Sequence, residues 1–407
     1  MDEYRRVLDW VARQQGTLVD RTARWARVNS GSCNPAGVRA MGKLLEGEFE
    51  TLGGECGFLP VPDPRRPGGG RPPEVLVVRK RLDAPVRVLL VGHVDTVFGP
   101  EHPFQEVTCP QAGVLRGPGV ADAKGGLAVA LTALEAVERS PWADGLGWQV
   151  WGSPDEELGS PGSGGPLTEA AAGFHLGLVF EPGHPDGALV GARKGSGTYT
   201  LEVEGRAAHA GRDPDAGRNA IHVLAELIVA LLGLQDPEGA VRVNVGTVEG
   251  GEAVNVVPAR AACRFNVRVT TEDARRRFEA GLERVLEPFR GREGIRVRLA
   301  GGFSRPPRPL DPPSEALYRA LAACGRELGR EIRWRPSGGV SDANLLAAAG
   351  LPVADGLGPW GGGIHTGEEH VLVESLTERA QLAALFLLQL AAGDQRWSPP
   401  AGGRGPA

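Results

Sequence analysis

Six side chains in this sequence have the types and the surroundings expected of a site for two divalent cations. They are two imidazoles and four carboxylates: His93, Asp122, Glu156, Glu157, Glu181 and His365. Each lies where a predicted strand or helix meets a turn, and ligands from distant segments can converge at such places. Five of them would suffice for two four-coordinate ions that share one carboxylate and a bridging hydroxide. The sixth side chain, a glutamate, would remain for proton transfer.

His93 follows the predicted strand 86–91 in RVLLVGHVDTV. Side chains alternate along a strand, so Asp95 points to the same face as His93. It is well placed to accept the second imidazole N–H and fix the ring, as acids beside metal-bound histidines do. We interpret the pair as a ligand and its orienting acid. The alternative is an ordinary hydrogen bond at a strand end.

Carboxylates follow in two further turns. Asp122 precedes a helix predicted from about Gly125, too early to cap it, and its two oxygens suit a bridge between cations. Glu156 and Glu157 come after the predicted strand 148–151. Adjacent carboxylates repel unless a cation is near, so we expect one to bind metal and the other to act as general base. A helix cap and a solvated acidic turn are the alternatives.

Composition indicates a globular enzyme. The chain has 407 residues, 41% of them hydrophobic, enough for two domains with their own cores. It has no apolar run of membrane-spanning length and no signal-peptide features, so we expect a cytoplasmic protein. The net charge of -5 offers no basic surface for nucleic acid, and the five scattered cysteines are expected to be reduced. Composition predicts disorder for residues 65–73 and 396–407.

Predicted strands and helices alternate through about residue 190, which is typical of a mostly parallel sheet covered on both faces. The order then becomes strand, helix, strand, strand, helix, strand, an α+β arrangement of ferredoxin-like order. We therefore predict an α/β catalytic domain in two parts, 1–193 and 306–395, interrupted by an insert at 194–305.

The order of these motifs resembles the M20 family of dinuclear zinc peptidases and deacylases, most closely its glutamate carboxypeptidase-like members. The resemblance runs from about residue 4 to 393 and rests on GHVDTV, GVADAKGG, SPDEELGSPGS, EPG, RAAHAGRDPDAGRNAI, NVVPARAACRFNVRV, GGVSDAN and IHTGEEHV. It implies a zinc-peptidase catalytic domain and a lid domain, the insert, that is used for dimerisation. It also implies a cis peptide bond after Asp122.

The resemblance implies a division of the ligands between two zinc ions, with cobalt or manganese as possible substitutes. Asp122 would bridge the ions. His93 and Glu181 would hold one ion, and Glu157 and His365 would hold the other. A glutamate at position 181 goes in this family with carboxypeptidases and deacylases, whereas aspartate goes with aminopeptidases.

Further roles are implied for the remaining motif residues. Glu156 would be the general base in a bridging-water mechanism, and His209 would stabilise the oxyanion in the other subunit of a homodimer, although by itself it reads as a surface-loop histidine. The implied substrate-binding residues are Asn255, Arg268, Arg305 and Ser341. Without the resemblance Asn255 is a turn residue, Arg268 a solvated strand residue and Ser341 a helix cap. For Arg305, the nearby Arg308 is the alternative for the same role.

These roles predict a carboxypeptidase that releases a C-terminal amino acid from a small-molecule or peptide substrate bearing a carboxylate. An N-acyl-amino-acid deacylase uses the same site and is the alternative. A ureido-hydrolase is less favoured, because that branch replaces GGVSDAN with a histidine-bearing element. A catalytically silent carboxylate-binding protein would be expected to lack Glu156, Glu157 or His365, and all three are present.

Overall fold

The computed structural model describes residues 2–63 and 71–394. Most of the first segment predicted to be disordered, and all of the second, therefore lie outside the described residues. Among the helices of the described part, none combines the length and the apolar character needed to cross a bilayer.

The helices and strands of the described residues are numbered in chain order. The α-helices are α1 (Asp2–Ala12), α2 (Gln15–Ala26), α3 (Pro35–Glu50), α4 (Lys124–Glu138), α5 (Gly164–Ala171), α6 (Ala220–Leu232), α7 (Glu272–Arg290), α8 (Pro312–Glu327), α9 (Asp342–Ala348) and α10 (Val373–Ala392). The strands are β1 (Glu55–Pro60), β2 (Glu74–Lys80), β3 (Val86–His93), β4 (Val114–Arg116), β5 (Leu146–Ser153), β6 (Leu176–Val179), β7 (Leu189–Arg193), β8 (Gly195–Glu204), β9 (Val241–Gly250), β10 (Arg260–Val269), β11 (Arg296–Arg305), β12 (Trp334–Ser337), β13 (Val353–Asp355), β14 (Gly361–Gly362) and β15 (His370–Leu372).

The first of two compact units comprises Met1–Ala192, Leu310–Ser337 and Ser341–Ala407. Its main sheet has the order β1-β2-β5-β3-β6-β13. The strands β5, β3, β6 and β13 run parallel to one another, and β1 and β2 add an antiparallel edge. The mostly parallel α/β sheet predicted from the sequence is confirmed.

Both faces of this sheet are covered by helices. Leu90 and Trp148 point into a core shared with helices that include α4 and α10, whereas Leu89 and Trp151 point into a second core with α5 and α9. Strands buried on both faces need apolar residues at nearly every position, which explains the continuous apolar runs in the sequence. The parallel strands therefore end together at one edge of a rigid scaffold.

The second unit comprises Arg193–Pro309 and Gly338–Val340. Its antiparallel sheet has the order β11-β8-β10-β9, and α6 and α7 pack on one face around Phe265 and Phe278. The chain order and sheet order are those of a ferredoxin-like fold, as predicted. The last strand, β11, continues through Gly301 and Gly302, which still pair with β8.

Candidate metal centre

Three neighbouring parallel strands deliver four of the predicted residues to one edge of the sheet. His93 ends β3, Glu156 and Glu157 lie in the turn after β5, and Glu181 lies two residues after β6. Gly126 allows α4 to approach this edge, since a Cβ there would lie 1.9 Å from the carbonyl oxygen of Phe180. Ligands carried on strand ends are held by the sheet itself.

Asp122 lies at the centre of the group. Its Oδ1 is 2.9 Å from Nε2 of His93, and its Oδ2 is 3.3 Å from Nε2 of His365. The peptide bond between Asp122 and Ala123 is cis, as the resemblance implies. One carboxylate thus presents one oxygen to each imidazole, which is the arrangement a bridging ligand requires.

The remaining ligands divide between the two imidazoles. Oε1 of Glu181 lies 3.6 Å from Nε2 of His93, and Oε2 of Glu157 lies 3.0 Å from Nε2 of His365. Donor atoms about 2.0–2.1 Å from one tetrahedral zinc ion are roughly 3.3 Å apart. The type and spacing of these donors therefore fit two divalent ions, one on each side of Asp122.

The two adjacent glutamates belong to different groups of candidate ligands, and both groups include His93. Ligand atoms of Glu157 and Asp122 come within 4.8 Å of one another and of His93, and the same holds for Glu156 and Glu181 with His93. Glu156 is therefore near enough to the first group to serve as a ligand as well as a base. Its assignment as general base stays a prediction.

Asp95 holds the centre together in two ways. Nδ1 of His93 lies 3.0 Å from the backbone carbonyl oxygen of Asp95 and 3.4 Å from its Oδ1. The same carboxylate accepts the backbone N–H groups of Glu156 and Glu157 and the hydroxyl of Ser32. Asp95 thus fixes the histidine ring chiefly through its main chain, and its side chain positions the glutamate pair.

The charges in this centre perturb one another strongly. Burial lowers the pKa of His93, but hydrogen bonds to Asp122 and Asp95 outweigh burial and bring it well above its usual value. Hydrogen bonds to Asp122 and Glu157 raise the pKa of His365 to about 11. Burial raises the pKa of Glu157, and the charge of Asp122 raises it further. Without metal, protons therefore occupy the nitrogens that a cation would take.

Ser341 lies in the same unit and is fully buried. Its hydroxyl accepts the backbone N–H of Ala343, and with Asn344 it forms a capping box for α9. The neighbouring Asp342 accepts the hydroxyls of Ser153 and Ser160, which flank the glutamate pair. The cap considered from the sequence is present, and a substrate contact by Ser341 stays a prediction.

The second unit contains the other four predicted residues, and two of them lie together. The segment of His209 pairs with that of Asn255, since the backbone N–H of Ala210 donates to the carbonyl oxygen of Asn255 at 2.9 Å. Both side chains are exposed. Nδ1 of His209 accepts the backbone N–H groups of Gly211 and Arg212, each at 3.1 Å. The proton of a neutral ring is therefore on Nε2, which is left to donate.

Arg268 and Arg305 flank one residue of the same sheet face, because both are register partners of Ser196. Nε of Arg268 donates to Oδ1 of Asn266 at 2.9 Å. Its Nη1 is buried and has no hydrogen-bond partner among the described residues. Burial lowers the pKa of Arg268. A desolvated guanidinium with an unused donor is suited to bind an anionic ligand.

Sequence reasoning missed two residues that support the centre. Ser32 donates to Asp95 as described above, and Glu369 accepts the backbone N–H groups of Ala121 and Asp122. A signal for Glu369 was present, because it belongs to a second pair of adjacent glutamates close to a predicted ligand. Ser32 lies in an unremarkable polar segment and gave no comparable signal.

Comparisons with known proteins give one family, related enzymes and solved structures of the same fold. The sequence pattern of peptidase family M20/M25/M40 matches residues 89–389. Carboxypeptidase G2 from Pseudomonas sp. (strain RS-16) is 28% identical over 401 residues, 93% of this chain and 91% of that protein. Succinyl-diaminopimelate desuccinylase from Methylobacterium sp. (strain 4-46) is 32% identical over 352 residues, 81% of this chain and 85% of that protein. The crystal structure of a tripeptidase from Staphylococcus aureus subsp. aureus Mu50 shares the fold, with a TM-score of 0.75, 20% identity, and coverage of 93% of this chain and 99% of its own.

Proposed function

We propose that the chain, which belongs to peptidase family M20/M25/M40, is a two-metal hydrolase that cleaves an amide bond in a substrate bearing a carboxylate. The match to this family confirms, at the level of the family, the resemblance found in the motifs. The observation that carries the proposal is the position of Asp122, whose two oxygens face His93 and His365 separately. Zinc is the metal we expect from this mixed nitrogen and oxygen donor set.

Two metal ions held by these residues would supply a Lewis acid for the substrate carbonyl and would acidify a water molecule. The protein contributes the proton transfer. Glu156, half-buried beside His93 and Glu181, takes the proton of the attacking water and returns it to the leaving amine. Asp95 keeps the backbone of Glu156 in place throughout.

Metal uptake by metal-free protein is expected to release about two protons per chain at neutral pH, because ligands must be deprotonated to bind. His365, with a pKa of about 11, and His93, with a raised pKa, are the sources. Metal affinity should therefore increase as the pH is raised above neutrality. Calorimetric titration with zinc in buffers of different ionisation enthalpy measures the stoichiometry and the proton count together. A His365→Ala chain should bind one ion and release about one proton fewer than the wild type. Binding of two ions without proton release would contradict the ligand assignment.

Arg268 is proposed to bind the carboxylate of the leaving amino acid. Arg268→Ala is expected to lower kcat/KM about tenfold or more on substrates with a free α-carboxylate, since a hydrogen bond to a charged group contributes about 1.5–3 kcal/mol. Amidated analogues are expected to be poor substrates of the wild type, so kcat/KM on them should change little. The measurement compares acid and amide forms of one substrate in both chains.

The matched control is Arg264→Ala, which removes an exposed guanidinium from the same face of β10. It should leave both substrates unaffected. Arg268→Lys should recover little activity, because an ammonium lacks the planar two-pronged geometry of a guanidinium. Equal losses on acid and amide substrates would make Arg268 structural and would direct attention to Arg305.

Deacylation of an N-acyl amino acid is the second candidate reaction. It is favoured by the 32% identity to a succinyl-diaminopimelate desuccinylase, at least as high as the identity to carboxypeptidase G2. The two reactions share the same centre and differ in which side of the amide is recognised. A panel of N-acyl amino acids, dipeptides and folate-like conjugates, tested on zinc-loaded protein, distinguishes them.

A homodimer through the second unit is proposed from the resemblance and from an exposed apolar surface. On α6, Val229 is 72% exposed and Leu232 is 41% exposed, and on the edge strand β9 Val248 is 60% exposed. Apolar side chains beside an open sheet edge are a liability for a monomer, and pairing with a second copy would cover both.

A further inference from the structure

One buried acid joins the loop that carries His365 to the turn that carries Asp122. Glu369 lies four residues after His365 and is 1% exposed. Its Oε1 accepts the backbone N–H of Ala121 at 2.9 Å and that of Asp122 at 3.1 Å. Two adjacent amide groups of one turn thus converge on a single side chain from another segment.

The main chain of Glu369 strengthens the same connection. Its carbonyl oxygen accepts the backbone N–H of Gly117 at 3.1 Å, and its own N–H donates to the carbonyl oxygen of Thr366 at 3.2 Å. The loop is therefore fastened to the turn at Asp122 and at two residues before it, and internally to the residue that follows His365.

His365 depends on such a tether more than the other histidine does. Its side chain is 52% exposed, whereas that of His93 is 1% exposed and lies at the end of a central strand. His365 also has a φ of 63°, a left-handed conformation that is uncommon for residues other than glycine and persists where the surroundings enforce it. Packing therefore fixes His93, and loop contacts must fix His365.

We propose that Glu369 is a positioning residue for the second metal ion, the ion that His365 and Glu157 would hold. The inference rests on the proposed two-metal function. Glu369 acts through the backbone amides around Asp122, setting the separation between the bridging carboxylate and the imidazole of His365. A glutamine at this position keeps an acceptor oxygen but loses the negative charge, so its hydrogen bonds from the backbone N–H groups of Ala121 and Asp122 are weaker.

The test compares Glu369→Gln with Glu368→Gln, its neighbour in the same loop, whose side chain is 79% exposed and pairs with Arg116. Zinc binding is measured by calorimetry, and the two sites are followed separately by the absorption spectrum of cobalt-loaded protein. Glu369→Gln should lower the affinity for the second ion about tenfold to hundredfold, as loss of groups that orient metal ligands does. The affinity for the first ion should change by less than about threefold. Glu368→Gln should match the wild type at both sites.

Unchanged affinity for the second ion in folded Glu369→Gln protein would overturn the inference. An equal loss of affinity for both ions would also overturn it, because that result indicates a general structural role. Should Glu369→Gln not fold, Glu369→Asp keeps the charge but shortens the reach, and it should show the same selective loss; wild-type binding by this variant would also overturn the inference. If wild-type protein itself binds fewer than two ions, the proposed function fails, independently of either variant.

Discussion

Glu156→Gln is expected to lower turnover about 10³-fold while the protein keeps both of its metal ions. The substitution preserves the size and polarity of the side chain but removes its capacity to take a proton. The backbone of residue 156 is held by Asp95 rather than by its own side chain, so the loop geometry should survive. Steady-state kinetics together with metal analysis of the purified variant test both parts.

Glu157→Gln is the matched control because it makes the same replacement, a carboxylate by an amide, at the adjacent residue. Oε2 of Glu157 lies 3.0 Å from Nε2 of His365, so this variant should instead lose one metal ion, and added zinc should partly restore its activity. The comparison is decisive because Glu156 also lies near His93 and Glu181. Equal loss of metal from both variants would show that Glu156 is a ligand, and the general base would have to be sought elsewhere.

Much of the fold could be predicted because the physical signals are local. Apolar runs of strand length separated by helical segments predict a mostly parallel sheet, and its strand ends carry His93, Glu157 and Glu181 to one edge. Asp122 and His365 follow no strand of that sheet directly. Asp122 was predicted as a bridge from its turn ahead of a helix, whereas the assignment of His365 and Glu157 to one ion depended on the resemblance, which the match to the peptidase family supports.

Contacts between distant segments could not be predicted. Glu369 binds the backbone of a residue 247 positions away, and Ser32 binds Asp95 across 63 positions. Neither contact leaves a periodic trace in the sequence. The expected contact of the Asp95 carboxylate with His93 shows the same limit, because the carbonyl oxygen of Asp95 is nearer to the ring than its carboxylate. Side-chain alternation along a strand gives a direction, but it does not say which acceptor a ring will reach.

His209→Ala is expected to lower turnover about 10²- to 10³-fold, the effect of removing one donor to a developing oxyanion. His209 is exposed, and its Nδ1 already accepts the N–H groups of Gly211 and Arg212. The ring is thus fixed with its Nε2 proton available for donation. If this donor serves the metal centre of the other subunit, as the resemblance implies, two inactive chains should complement each other.

Mixing Glu156→Gln with His209→Ala chains tests that arrangement. Random exchange of subunits makes about half of the dimers mixed, and each mixed dimer has one site with both residues, so about a quarter of wild-type activity should return. Adding Val229→Glu to both chains places a charge on the apolar surface of α6 and should abolish the recovery, because the dimer no longer forms. Sedimentation velocity reports whether the chains associate, and exchange of differently tagged subunits reports whether they mix. Mixed dimers that form but stay inactive would place His209 and Glu156 of one chain in the same site, since only then does every mixed dimer lack a complete pair.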